Sequence, residues 1–206
     1  MLPIRKKIVL FDIDGTLFDS RFFGERVRTQ FTKTFKIDLV EVENVSSKYF
    51  ENLESGTDFH PQAFIKFLAG KLAIKNAVLW KIFWENEENY KKALYPEVTK
   101  TLCQLVTNNK LGIYSQGFRK FQLHKLSQSG ILDFFQKEYI FISRRKLRPS
   151  LTKSMPESSV IVDNHPGVVE KLNSTKRFNI IWLNRISNEK MASIQTIKKL
   201  GDLITP

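Results

Sequence analysis

Ile8-Val9-Leu10-Phe11-Asp12-Ile13-Asp14-Gly15-Thr16 is the stretch on which the reading of this chain turns. Ile8 to Phe11 is short, continuous and apolar, the mark of a buried strand, and it breaks at Asp12 and Gly15. In open α/β sheets ligands bind beyond the carboxyl ends of the strands, which is where Asp12 and Asp14 would stand. If the chain stays extended there, residues two apart project to the same side. Gly15 permits a tight turn, and Thr16 adds a hydroxyl and a backbone N–H.

Working outward, other apolar runs have the same character. Leu111–Tyr114 is launched from the turn-like Asn108-Asn109-Lys110, and Val160–Val162 halts at Asp163. Tyr139–Ile142 and Asn179–Leu183 read as further strands. Between them, Glu97–Asn108 places Val98, Leu102, Leu105 and Val106 on one side of a helix, with Pro96 tolerated at its start. Phe118–Gln128 and Pro166–Leu172 also read as helices. Strands alternating with helices imply a parallel sheet covered on both faces. Residues 20–92 differ: no strand is evident, and Phe22–Phe35, Val40–Leu53, Pro61–Leu72 and Ala77–Lys92 read as helices. The expected architecture is a doubly wound α/β core, residues 1–19 and 93–206, with a helical insertion over 20–92.

Composition fits this picture. The 206 residues are 42% hydrophobic and 26% charged, a globular balance that argues against wholesale disorder. Seventeen phenylalanines point to extensive core packing. A formal charge of +12 draws anions, whether phosphorylated metabolites, nucleic acid or an anionic membrane. A solvated basic surface yields the same count, so charge alone chooses no partner. The single cysteine, Cys103, cannot form an intramolecular disulfide and is expected as a buried, inert thiol. The basic start (Arg5, Lys6, Lys7) precedes an apolar run too short for a signal-peptide core. Nothing approaches the roughly 18 apolar residues of a membrane span. A soluble protein in a reducing cytoplasm, with no membrane partner, is the expectation.

Two carboxylates held together repel, and a hard cation such as Mg²⁺ offsets them using carboxylates, waters and phosphate oxygens. One carboxylate can then attack phosphorus, and the other can protonate the leaving oxygen and later deprotonate water. A turn in which both aspartates merely cap backbone amides uses the same residues. An EF-hand calcium loop needs alternating oxygen ligands and a Glu at its twelfth position. Leu17 and Arg21 do not supply ligands, and Glu25 comes two residues late.

Phe11-Asp12-Ile-Asp14-Gly15-Thr16-Leu17-Phe18-Asp19-Ser20 resembles the first motif of the haloacid dehalogenase (HAD) superfamily of phosphohydrolases. Leu94-Tyr95-Pro96-Glu97-Val98 resembles the segment that re-enters the core after the family's first class of helical cap. Leu111–Ser115 resembles the second motif and Val160–Asn164 the fourth. The resemblance implies Asp12 as nucleophile and Asp14 as general acid/base. It implies that Ser115 and the backbone N–H groups of Gln116 and Gly117 bind the phosphoryl group, with Thr16 alongside. Mg²⁺ would be held by Asp12, the Asp14 carbonyl, Asp163 and Asn164. The family's dehalogenases lack an acid at the position of Asp14, so the resemblance is to its phosphoryl-transfer members.

The chain departs from the family in two places. The third motif calls for a cation, and Ser143-Arg-Arg-Lys-Leu-Arg-Pro149 offers several; Lys146 is the first choice, Arg148 the second and Lys153 the third. The family's second acid after the fourth motif is missing, since Gly167 and Val168 stand there, and Asn164 is the substitute ligand. The cations of this segment also suit RNA or DNA. His60, His124 and His165 share no metal-ligand spacing, and His165, beside Asn164, is the one to watch. The implied function is a Mg²⁺-dependent phosphatase acting on a small phosphorylated metabolite. The alternatives are a phosphotransferase or mutase of the same superfamily, or a non-catalytic basic binding protein with a degenerate site; nucleic acid is a partner the charge allows but not the favoured one.

Overall fold

A computed structural model describes residues 7–204, so Arg5 and Lys6 lie outside the described residues. The core is a six-stranded sheet in the order β3-β2-β1-β4-β5-β6, every pairing parallel. Its strands are β1 (Lys7–Phe11), β2 (Asn109–Gln116), β3 (Ile140–Ser143), β4 (Val160–Asp163), β5 (Asn179–Leu183) and β6 (Gln195–Ile197). The chain runs outward from β1 through β2 to β3, then crosses back to lay β4 on the other side of β1. That reversal opens a crevice at the carboxyl ends of β1 and β4, the topological switch point of a doubly wound sheet. Phe11 is level with Val162 and with Ile113, so Asp12, Asp163 and the end of β2 reach the same rim.

Alternation along the strands fills two layers. Val9 and Phe11 face one core with Leu111, Ile113 and Val162. Leu10 faces the other with Tyr114, Ile161, Ile180 and Trp182. Helices cover both: α6 (Val98–Leu105), α7 (Arg119–Gln128), the short α8 (Pro149–Ser154) and α9 (Pro166–Ser174). In α6 the inward side is Val98, Thr101, Leu102 and Leu105, the i, i+3, i+4, i+7 stripe of a one-sided helix. Cys103 lies one residue beyond that stripe and is exposed, not buried as its apolar neighbourhood suggested. The helix also stops at Leu105, short of the expected Asn108. β6 and α8 escaped the sequence reading, because neither three strand residues nor six helical ones carry a full period.

Between β1 and α6 lie α1 (Ser20–Phe35), α2 (Leu39–Glu51), α3 (Pro61–Lys71), α4 (Asn76–Trp80) and α5 (Glu87–Lys92). Their starts follow local chemistry: Asp19 accepts from the Phe22 N–H at 2.9 Å, Asp38 from the Val40 N–H at 2.7 Å, and Pro61 opens α3. The single helix expected over 77–92 is divided. α4 widens into a π-helical turn at Lys81–Glu85, and Asn86 then accepts from the Asn89 N–H at 3.3 Å to start α5 afresh. Burial of Phe83 and stacking of Trp84 on His124 of α7, centroids 3.8 Å apart, fix the wide turn.

The chain enters and leaves this helical region at one place. The Asp19 N–H donates to the Ala93 carbonyl at 2.7 Å and the Tyr95 N–H to the Leu17 carbonyl at 3.2 Å. Among the described residues no helix is long and apolar enough to cross a membrane.

Candidate active site

Asp12 follows the last residue of β1, anchored there by its own N–H donating to the Val162 carbonyl at 3.0 Å. Its carboxylate is buried, and Lys146 Nζ donates to Oδ1 at 2.7 Å. The same ammonium lies 2.5 Å from Asp163 Oδ2, while Asp163 Oδ1 accepts from the His165 N–H at 2.9 Å. One cation thus bridges the carboxylates at the ends of β1 and β4. Burial pushes Asp12 up to about 6, against the attraction of Lys146 and with the repulsion of Asp163 and Asp14. Burial alone would lower Lys146, but Asp12 and Asp163 outweigh it and hold the ammonium charged.

Lys146 is itself held in place. The Tyr114 hydroxyl donates to the Lys146 carbonyl at 2.7 Å, and the ammonium stands 5.1 Å from the Tyr114 ring centroid. Arg148 and Lys153 belong to the exposed α8 region, Arg148 as its N-cap. Of the three candidate cations only Lys146 enters the site. Two others of that basic segment turn to the helical region: Arg145 Nη1 lies 3.2 Å and Arg144 Nη2 3.4 Å from Asp58 Oδ1.

Asp14 lines the same cavity but has its own partners. Lys125 Nζ donates to Oδ1 at 2.5 Å, Gln122 Nε2 to Oδ2 at 2.7 Å, and the Ser20 hydroxyl to Oδ1. Burial raises its proton affinity, but Lys125 and these donors outweigh that, so Asp14 sits below the usual carboxylate range. Lys125 is also placed by rings, 4.6 Å from the Phe121 centroid and 5.3 Å from that of Phe18. None of these three partners was singled out from the sequence. A signal existed: the buried side of α7 is Phe121, Gln122, Lys125 and Leu126, and a polar pair on an otherwise apolar face needs a buried partner.

The residues expected to bind the phosphoryl group have these partners in the fold. The Gly117 N–H donates to the Ser143 carbonyl at 3.0 Å, extending the β2–β3 ladder. Gly117 adopts φ +140, and a Cβ there would meet Gln122 Nε2 at 2.9 Å, so glycine makes room for the partner of Asp14. Ser115 is fully buried behind Gln122, whose Nε2 lies 3.5 Å from its hydroxyl. Thr16 is likewise fully buried, its hydroxyl 3.5 Å from Asn164 Oδ1. Its carbonyl accepts from Arg185 Nη2 at 2.9 Å, an arginine that also pairs with Glu97 at 2.7 Å. Gln116, Gly117, Asn164 and His165 line the cavity.

The oxygen-bearing side chains that line the cavity around Asp12, the carboxylates of Asp12 and Asp163 and the amide of Asn164, are the donor types that suit a hard divalent cation. Asn164 is packed onto the turn after β1, since a Cβ on Gly15 would meet its Nδ2 at 2.3 Å. Among the described residues no three His, Cys, Asp or Glu side chains form a ready metal cage. Lys146 neutralises the carboxylate pair in this arrangement, and a divalent ion would share the pair with it.

A family model of haloacid dehalogenase-like hydrolases matches residues 6–160. The chain belongs to that family. A curated relative, the glyceraldehyde 3-phosphate phosphatase of Methanocaldococcus jannaschii, is 31% identical over 135 residues, 63% of this chain and 59% of that protein. The match therefore spans about three fifths of the relative's length. Among solved structures, a HAD phosphatase from Thermococcus onnurineus superposes with TM-score 0.65 at 24% identity, over 96% of this chain and 95% of that one. An L-2-haloacid dehalogenase from Xanthobacter autotrophicus does so with TM-score 0.61 at 18% identity, over 96% of both. These likenesses are of fold, and HAD hydrolases of different chemistry share it. The reaction has to be argued from the side chains.

Proposed function

We propose that this HAD hydrolase is a Mg²⁺-dependent phosphatase that works through a phosphorylated Asp12. The observation that carries this reading is the Asp12 carboxylate at the foot of the cavity, bonded to Lys146, with Asp14 two residues on and separately charged. A dehalogenase needs only the first carboxylate; the second gives a proton relay for an ester oxygen. The phosphatase activity named for the relative from Methanocaldococcus jannaschii supports the same choice.

In the first step an Asp12 oxygen attacks phosphorus and the bond from phosphorus to the ester oxygen breaks. Asp14, once its carboxyl has left Lys125 and taken a proton from solvent, delivers that proton to the departing oxygen. In the second step water attacks the phosphorus of phospho-Asp12, Asp14 takes the water proton, and Asp12 is freed with inorganic phosphate. The ion pair with Lys125 keeps Asp14 as the carboxylate that this step needs. Lys146 and Gln116 meet the phosphoryl oxygens, while Ser115, Thr16 and the Gly117 N–H keep the partners they have. Mg²⁺, held by Asp12, Asp163, Asn164 and the Asp14 carbonyl, would supply positive charge against the phosphoryl group. Residues 1–19 and 93–206 serve as the catalytic core, and the helices of 20–92 as the cap that meets the alcohol part of the substrate.

The test is a panel of phosphorylated metabolites, glyceraldehyde 3-phosphate among them, assayed with and without Mg²⁺ beside Asp12→Asn. Mg²⁺-dependent phosphate release by the wild type, lost in the variant, is expected. Equal rates for the two proteins on every substrate would overturn the reading.

A further inference from the structure

The cavity above Asp12 encloses about 720 Å³, room for far more than a phosphoryl group. Its charged end is the aspartate site; most of its remaining wall is aromatic. Phe23, Phe59, Phe64, Phe83, Phe118 and Phe121 all line it. Except for Phe118, which meets the His60 ring, these rings form one connected group. Phe83 stacks on Phe121 at 5.5 Å, Phe59 lies 5.7 Å from Phe121, and Phe23 meets Phe83 edge-on at 5.6 Å. Rings that were only core would be covered on every side by other side chains. Here Phe59 and Phe118, both half-buried, and Phe50, 46% exposed, leave surface open to the cavity beside the reacting groups, and the buried Phe23, Phe64, Phe83 and Phe121 back them.

Helix α1 sets the length of the cavity. Ser20, which bonds to Asp14, begins it, and Gly24, Val27 and Arg28 continue the lining. At 1.5 Å per residue, Arg28 stands about 12 Å along the axis from Ser20. Its guanidinium folds back over Gly24, where an added Cβ would lie 3.1 Å from Nη1. Glycine within a helix costs stability relative to alanine, and at this position it leaves room between the guanidinium and the cavity. Arg28 is only loosely paired: its Nε, buried with no hydrogen-bond partner, faces Glu43 Oε1 at 3.8 Å. A buried N–H of that kind calls for an acceptor.

We propose that the substrate is a phosphomonoester whose alcohol carries a flat, apolar ring system with an acceptor oxygen at its far end. The phosphoryl group sits at Asp12 and Lys146, the ring against the phenylalanine wall, and the acceptor at Arg28. A short polyol phosphate would leave the wall wetted and Arg28 unanswered. This inference rests on the phosphatase reading and adds the class of alcohol to it.

Non-hydrolysable phosphonates test it by titration calorimetry on the wild-type protein in Mg²⁺ buffer. 2-Phenylethylphosphonate is expected to bind about tenfold or more tightly than ethylphosphonate, from burial of one ring. A para-carboxylate on the ring should tighten binding further, and Arg28→Gln should remove that increment. Phe118→Leu and Phe59→Leu, with melting temperatures measured alongside, should shrink the ring preference. Either one folded and showing the shrinkage suffices. Equal affinities for phenylethyl and ethyl phosphonates would overturn the inference while leaving the phosphatase reading intact. Binding of neither would overturn both. Full turnover by Asp12→Asn alongside a persistent ring preference would overturn the phosphatase reading alone.

Discussion

The foot of the cavity and its walls are built on opposite principles. The foot draws single charged residues from segments far apart in sequence, Asp12, Lys146 and Asp163, each at the end of a strand or just past one. The walls draw aromatic residues mainly from one continuous helical region, joined by α7. At the foot each group depends on a named partner, so one substitution should have a large and specific effect. In the walls the rings share contacts, so losses should be smaller and graded. Chemistry is concentrated, and selection is spread out.

The largest expected effect is Asp12→Asn, which removes the proposed nucleophile and should lower phosphate release by on the order of a thousandfold or more. The protein should still fold, with Lys146 paired to Asp163, as a melting curve would check. A variant retaining a tenth of the wild-type rate would break the contrast between foot and walls. Lys146→Met should lower kcat about a hundredfold, as for removal of one transition-state donor. It also leaves two buried carboxylates facing each other. Added Mg²⁺ should therefore raise the melting temperature of this variant more than that of the wild type.

Gly117→Ala tests the joint between the two regions. Its φ of +140 and the crowding of Gln122 at 2.9 Å should cost about 1–3 kcal/mol of stability, read by denaturant titration. Turnover should fall as well, because Gln122 holds Asp14. The smallest effect lies behind the wall, where α7 meets the π-helical turn. His124 is stacked on Trp84, and burial lowers its proton affinity against the bond to the Trp84 carbonyl, with Lys120 adding to the lowering. The unfolded chain, whose histidine keeps the ordinary value of 6.5, then binds the proton first. Stability should be level above that pH and decline as the pH falls through it, and His124→Gln should flatten the decline.

Much of the foot was legible in the sequence because β1 and β4 announce themselves by apolar runs that end in aspartate. Asp12, Asp14 and Asp163 follow from that alone. Lys146 could be ranked first but not separated from Arg148 and Lys153, since distance along the chain says nothing about which side chain crosses the sheet edge to Asp12. Ser115 and Thr16 matched the expected pattern and yet lie buried, with their polar atoms beside Gln122 and Asn164. The partners of Asp14 went unread for the converse reason. Ser20, Gln122 and Lys125 meet only when α1 and α7 pack over the turn after β1. In the walls, the helices of 20–92 were evident from apolar spacing, but their division at Lys81–Glu85 was not, because the π turn answers to Trp84 meeting His124.

By itself, then, the sequence determined the strand-and-helix alternation, the helical insertion and the family, because period and short motifs are local properties. Tertiary structure alone decided that Lys146 bridges Asp12 and Asp163, that Lys125 holds Asp14, and that Phe50 and Phe59 of the helical region open a face toward the site. Those are contacts between residues up to 134 positions apart. Their energies depend on burial and distance, and neither exists until the chain has folded.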